Sequence, residues 1–151
     1  MDARRTIPAL VWLFVVALVA VVVAGCGGSA TEEATTLPAT VASETPGVAL
    51  VSPEKAQELI GAGGVTLLDV RTPAEFAAGH IAGAENIDFY AADFADRIDA
   101  LDRSERYVVY CHTGNRSGKA SKSMAEKGFT YVTDVDGGIE AWQSAQLPTV
   151  K

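Results

Sequence analysis

The chain has 151 residues, with 12 Lys and Arg against 19 Asp and Glu and a formal charge of −7 at pH 7. Such an acid excess argues against nucleic acid or anionic lipid headgroups as partners. Two isolated histidines and two cysteines make no ligand cluster, so neither a metal nor another cofactor is expected.

Arg4 and Arg5 precede an apolar run from Ile7 to Ala24, which reads as a secretion signal over residues 1–25. Its end, Val23-Ala24-Gly25-Cys26, resembles the lipobox of bacterial lipoproteins, with valine where leucine is commoner. That resemblance implies cleavage before Cys26, lipidation of its thiol, and a membrane anchor through the lipid. The competing reading is an uncleaved anchor helix, for which roughly 18 apolar residues are just long enough. In both cases the two arginines keep the N-terminus inside and send the body of the chain outward. Loss of the signal moves the charge from −7 to about −8, because Asp2, Arg4 and Arg5 leave together.

Residues 26–47 are rich in Thr, Ala, Ser, Gly and Pro without the spacing of a core-facing element, and predict a flexible tether. About 20 such residues have an r.m.s. reach of roughly 25 Å. Residues 48–151 then suit one small domain, expected as a monomer.

Within that domain Ser52-Pro53-Glu54 starts a helix that should stop near Gly61-Gly63-Gly64. Val65 to Val70 has the apolar run of a buried parallel strand. Thr72-Pro73-Ala74-Glu75 is a capping box, opening a short helix that turns Phe76 inward. Phe94, Ile98 and Leu101 share a face of a helix over 93–101. A strand follows from Arg106 to Tyr110, and a helix from Ser117 to Lys127 is ended by Gly128. Tyr131 to Thr133 is a last strand, and Ile139-Glu140-Ala141-Trp142 opens a closing helix. Alternating strands and helices imply an α/β fold with a central parallel sheet flanked by helices on both faces. Ligands of such sheets sit at the C-terminal strand ends, where Cys111 falls.

Cys111-His112-Thr113-Gly114-Asn115-Arg116-Ser117 joins that strand to the next helix. Gly114 permits an unusual backbone angle, so the loop N–H groups can point at the sulfur, and the helix start and Arg116 should favour the thiolate. The alternative is an inert cysteine buried at a strand end. With Cys26 lipidated, Cys111 is unpaired in a compartment where disulfides normally form.

Three segments together resemble a single rhodanese domain over about residues 48–148. They are Asp69-Val70-Arg71-Thr72-Pro73-Ala74-Glu75-Phe76 running on through Gly79-His80-Ile81-Ala82-Gly83-Ala84 to Asn86-Ile87, the Cys111 to Arg116 loop, and Gly137-Gly138-Ile139-Glu140-Ala141-Trp142 with Leu147-Pro148. Gln146 departs from the glycine many relatives carry before Leu-Pro. The resemblance implies the three-layer rhodanese fold and two-step sulfur transfer. The Cys111 thiolate takes sulfane sulfur from a small anionic donor such as thiosulfate, and a thiol or cyanide accepts it from the persulfide. His112, Thr113, Gly114, Asn115, Arg116 and Ser117 would hold the substrate or persulfide. Cysteine phosphatases resembling this fold place five residues between cysteine and arginine, whereas this loop has four, which suits sulfur better than phosphate.

Two roles are open to His112: a partial positive charge for a dianionic donor, or a solvent-facing loop residue. His80 reads as a structural hydrogen bond near a turn, Glu75 as part of the capping box, and Trp142 as core packing with one partner for its indole N–H. Asp69 and Arg71 are either an ion pair at the sheet's edge or support at the mouth of the site. A binding or reactive-sulfur and redox-sensing module is the alternative to the enzyme, since an accessible low-pKa thiol serves both.

Overall fold

The computed structural model describes residues 47–151. The signal, nearly all of the tether and Cys26 lie outside the described residues. Among the described residues no helix is long and apolar enough to cross a membrane.

The elements are β1 (Gly47–Val51), α1 (Pro53–Ala62), β2 (Thr66–Asp69), α2 (Pro73–Ala78), β3 (Glu85–Asn86), α3 (Phe94–Asp99), β4 (Arg106–Tyr110), α4 (Asn115–Glu126), β5 (Tyr131–Val135) and α5 (Gly138–Ser144). The five strands form one sheet in the order β1-β5-β4-β2-β3, and every pairing is parallel. Local chemistry sets the ends. The Ser52 hydroxyl caps α1 by accepting from Lys55 N, and Gly63 ends it at φ +77°. Thr72 and Glu75 close the capping box on α2 in both directions.

Strand alternation divides the core into two layers. Leu68, Tyr107, Val109 and Val132 face a cluster closed by Ile98, Ala120, Met124 and Phe129, from α3, α4 and the segment after α4. Leu67, Val108, Tyr110 and Val135 face the other side, against Ala56 of α1 and Ile139 and Trp142 of α5. The sheet is thus covered on both faces, the three-layer arrangement its parallel ladder requires. Trp142 is buried, and its indole N–H donates to the Pro148 carbonyl at 3.0 Å.

Four local expectations change. Gly47, assigned to the tether, is the first residue of β1, an edge strand pairing with β5 that the sequence reading did not include. Phe76 is not a core residue: it is half-buried and stacks on His80 with ring centroids 3.8 Å apart, because the short α2 buries no residue fully. α4 begins two residues earlier than expected, at Asn115, because left-handed Gly114 already serves as its N-cap. β5 runs two residues further than expected, through Asp134 and Val135. A carboxylate inside the strand had concealed that extension.

Candidate active site

Cys111 directly follows β4, and its stretch of chain is held from two sides, by the end of β2 and by the start of α5. On the β2 side, Val70 N–H donates to the Tyr110 carbonyl at 3.0 Å. On the other, Ile139 N–H donates to the Cys111 carbonyl at 2.9 Å and Glu140 N–H to the His112 carbonyl at 3.1 Å. Gly114, at φ +91°, turns the chain so that its own N–H donates to Cys111 Sγ at 3.2 Å. The Ser117 hydroxyl lies 3.5 Å from Sγ and 3.2 Å from the Gly114 carbonyl, so one proton serves two acceptors.

These donors decide the charge state of the sulfur. Cys111 is 1% exposed, and burial works against a thiolate. The Ser117 hydroxyl and the N–H groups of Ser117, Thr113 and Arg116 outweigh burial, so the thiol is held below its ordinary range. The loop is therefore an anion cradle made chiefly of N–H groups. Ser117 is fully buried beneath it, whereas His112, Thr113 and Asn115 are exposed at its rim.

Arg116 has a partner that sequence spacing does not reveal. Its Nη1 donates to Glu75 Oε2 at 2.8 Å and its Nη2 to Glu75 Oε1 at 2.7 Å, a two-point pair spanning 41 positions. Glu75 thus does more than cap α2: it ties that helix to the cysteine loop. The Arg116 hydrogen bonds hold the Glu75 carboxyl down at about 2, against the opposing effect of burial, and the carboxylate in turn raises the Arg116 pKa. The Arg116 guanidinium also lies over the exposed Tyr90 ring, 5.7 Å from its centroid.

Asp69 and Arg71 form a buried pair at the C-terminal end of β2, with side chains 0% and 5% exposed. Asp69 stands in register with Tyr110, the residue before Cys111. Arg71 Nε donates to both Asp69 oxygens at 2.9 and 3.0 Å, and its Nη2 reaches the Gly79 carbonyl at 2.8 Å. Burial opposes the Arg71 charge, but Asp69 outweighs it and raises the pKa. Burial, then the Asp69 charge, raises the Tyr110 phenol, which stays neutral and accepts from Ile81 N–H at 3.1 Å. The pair joins β2 to the turn after α2, a supporting position. His80 makes the turn contact expected of it, with Nδ1 3.1 Å from the Phe76 carbonyl.

Gly137 and Gly138 form part of the site's frame. At Gly138, with φ +58°, a Cβ would stand 2.5 Å from the Cys111 carbonyl oxygen and 2.7 Å from that of His112. At Gly137 a Cβ would meet the Ala141 Cβ at 2.6 Å. Their side-chain-free backbone lets α5 start against the cysteine loop. Asp134 was also missed. It is 5% exposed, its Oδ1 has no hydrogen-bond partner among the described residues, and its pKa is pushed up to about 6, chiefly by burial and further by the Asp136 charge. Among the described residues, no group of three or more His, Cys, Asp or Glu is placed to hold a metal ion.

The parallel sheet, the cysteine at a strand end and the loop wound onto a helix start define a sulfur-handling α/β domain. Residues 52–145 match the family of the rhodanese-like domain, well over half of the chain, and the chain belongs to that family. The thiosulfate sulfurtransferase GlpE of Pseudomonas aeruginosa (strain LESB58) is 39% identical over 94 residues, covering 62% of this chain and 83% of that protein. The protein of the same name from Pseudomonas putida (strain F1) is also 39% identical over 94 residues, covering 62% and 84%. Among solved structures, the rhodanese-related protein of Thermoplasma volcanium superposes with a TM-score of 0.61 at 32% identity, covering 68% of this chain and 97% of that one. The polysulfide-sulfur transferase homodimer of Wolinella succinogenes does so with a TM-score of 0.59 at 27% identity, covering 68% and 78%. The chain is a rhodanese-type sulfurtransferase, and the fold and enzyme class expected from its sequence both hold.

Proposed function

We propose that this sulfurtransferase works outside the cytoplasm, tethered to a membrane by lipid on Cys26, and carries sulfur as a persulfide on Cys111. The observation that supports it most is the cradle around Sγ, in which Gly114 N–H at 3.2 Å and the Ser117 hydroxyl at 3.5 Å favour the thiolate. The Cys111 thiolate attacks the outer sulfur of thiosulfate or a related donor and forms a new S–S bond. The donor's own S–S bond breaks, and sulfite leaves with the electron pair. Cyanide or a thiolate then attacks the outer sulfur of the persulfide, taking it as thiocyanate or as a new persulfide and returning Cys111 to its thiolate.

The persulfide is an anion, and N–H groups fixed in advance stabilise it and the charge developing during transfer. Arg116 reaches the loop already neutralised by Glu75, and its planar fork still carries donors for an incoming sulfonate beyond the two that Glu75 accepts. His112, Thr113 and Asn115 form the rim the donor crosses. Incubation with thiosulfate, polysulfide or a low-molecular-weight persulfide, followed by site-resolved mass spectrometry, should place one added sulfur on Cys111. Failure with all three donors overturns the reading.

The tether rests on the sequence of residues 1–46, in which Arg4, Arg5, the apolar run and Val23-Ala24-Gly25-Cys26 follow one another in the order of a lipoprotein signal. Growth with labelled palmitate should give a labelled mature protein in the membrane fraction, and Cys26→Ser should lose the label. A wild-type chain that keeps Met1 and takes no label would contradict lipidation.

A further inference from the structure

Tyr90 is the most exposed large apolar side chain among the described residues, at 70%, and it stands beside the cysteine loop. Its ring centroid is 5.7 Å from the Arg116 guanidinium, and Arg116 precedes Ser117, whose hydroxyl is 3.5 Å from Cys111 Sγ. The backbone sets it there as well. Val70, just after β2, donates its N–H to the carbonyl of Tyr110, the residue before Cys111, and its own carbonyl accepts from the N–H of Phe89, the residue before Tyr90. One residue at the end of β2 thus joins the Tyr90 turn to the strand end that carries the nucleophile.

The ring is held without being covered. Tyr90 N–H donates to Asp88 Oδ1 at 3.0 Å and Ala91 N–H to the Asp88 carbonyl at 3.1 Å, which closes the turn at its base. The Phe89 ring meets the Tyr90 ring edge-on at 5.5 Å and lies 5.1 Å from Phe94, and both phenylalanines pack against the core layer on the α3 and α4 side. Phe89 and Arg116 therefore restrain the tyrosine while most of its surface stays in water. An aromatic surface fixed in advance loses little conformational entropy when a ligand covers it.

We propose that Tyr90 is a specificity-determining residue for the second half of the reaction, a wall that favours an organic thiol with an apolar or aromatic stem over cyanide as the sulfur acceptor. Thiosulfate and cyanide have no apolar surface to lay on the ring; their charge is met by the loop N–H groups and by the Arg116 donors that Glu75 leaves unused. A thiol brings both a sulfur that must reach the persulfide and a stem that must lie beside it, and the ring gives that stem an apolar contact. Its thiolate attacks the outer sulfur of the persulfide and a new S–S bond forms. The bond to Cys111 Sγ breaks with its electron pair going to Sγ, and the acceptor leaves as a persulfide. The inference rests on Cys111 carrying the persulfide.

The test follows loss of sulfur from the preloaded full chain, read on the Cys111 peptide, against increasing cyanide, mercaptoethanol and phenylmethanethiol. Tyr90→Ala should lower the ratio of second-order rate constants, phenylmethanethiol over cyanide, by about fivefold or more, whereas Tyr90→Phe should hold it within about twofold. Mercaptoethanol, whose stem is short and polar, should follow cyanide. Any effect of the lost Arg116 contact on the loop reaches every acceptor and cancels in the ratio. An unchanged ratio in Tyr90→Ala, or an equal fall for mercaptoethanol, overturns the wall. Alkylation of the unloaded Cys111 gives the same contrast without sulfur: the rate with benzyl bromide over that with iodoacetamide should also fall in Tyr90→Ala, and a constant ratio overturns the inference. A protein that loads no sulfur thus still tests Tyr90, and a failed wall leaves the sulfurtransferase reading untouched.

Discussion

Arg116 and Glu75 meet as a two-point ion pair, with contacts of 2.7 and 2.8 Å, although they belong to different helices and lie 41 positions apart. The pair fixes the cysteine loop to α2, whose own N-terminus Glu75 also caps through Thr72. One carboxylate therefore holds a helix start and the position of the loop's guanidinium.

Replacing Glu75 should loosen both. Glu75→Gln is expected to cost on the order of 1 kcal/mol, the modest value reflecting a carboxylate that is partly open to solvent. The pH dependence has a definite sign. Its carboxyl titrates at about 2 in the fold against an ordinary 4.5, so its stabilisation is complete above 4.5 and is lost as pH falls from there through about 2. Thermal unfolding across that window should fall less steeply in Glu75→Gln than in the wild type.

Gly138 tests the frame behind the loop. Alanine there must adopt φ +58° and place its Cβ 2.5 Å from the Cys111 carbonyl oxygen, so backbone has to move. Gly138→Ala should cost about 3 kcal/mol or more in denaturant unfolding. Under conditions where the variant remains folded, its rate of sulfur uptake should still fall at least tenfold, because the displaced atoms belong to the cysteine itself. Unchanged uptake would show that the α5 contact does not position the loop.

The Asp69–Arg71 pair should behave as a support. Asp69→Ala leaves the Arg71 guanidinium buried without its carboxylate, which should cost about 3–5 kcal/mol. Asp69→Asn keeps the shape and should cost less. The folded fraction of Asp69→Asn, measured by active-site titration, should retain most of its sulfur uptake. A folded variant with uptake abolished would move the pair from support into the chemistry.

Much of this domain was legible because its signals are local. The Thr72-to-Glu75 capping box, the Ser52 cap with Pro53, the apolar runs of β2 and β4 and the glycine within the cysteine loop each declare themselves within a few residues. β1 was not legible, because it is a short edge strand whose apolar run lacks the alternation of a half-buried strand, with Val48 and Leu50 both exposed. β3 has two residues, too few for any period. The second role of Glu75 and the burial of Asp134 against Gly118 of α4 depend on tertiary approach, which neither spacing nor propensity encodes. Gly137 and Gly138 stood in a segment resembling the family, but the reason for two consecutive glycines appears only in the structure, where a Cβ on Gly138 would meet the Cys111 carbonyl and one on Gly137 would meet Ala141.

The central claim is that the cradled Cys111 thiolate accepts sulfur. Its most direct test is mass spectrometry of the folded protein after exposure to thiosulfate, polysulfide and a low-molecular-weight persulfide over a range of pH. The account predicts one added sulfur on Cys111, removed by cyanide or a thiol. Uptake should begin below the ordinary thiol pKa, and Ser117→Ala should move that onset upward, because Ser117 helps to lower the pKa of Cys111. A folded protein with a reactive Cys111 that takes up no sulfur from any of the three donors would contradict it.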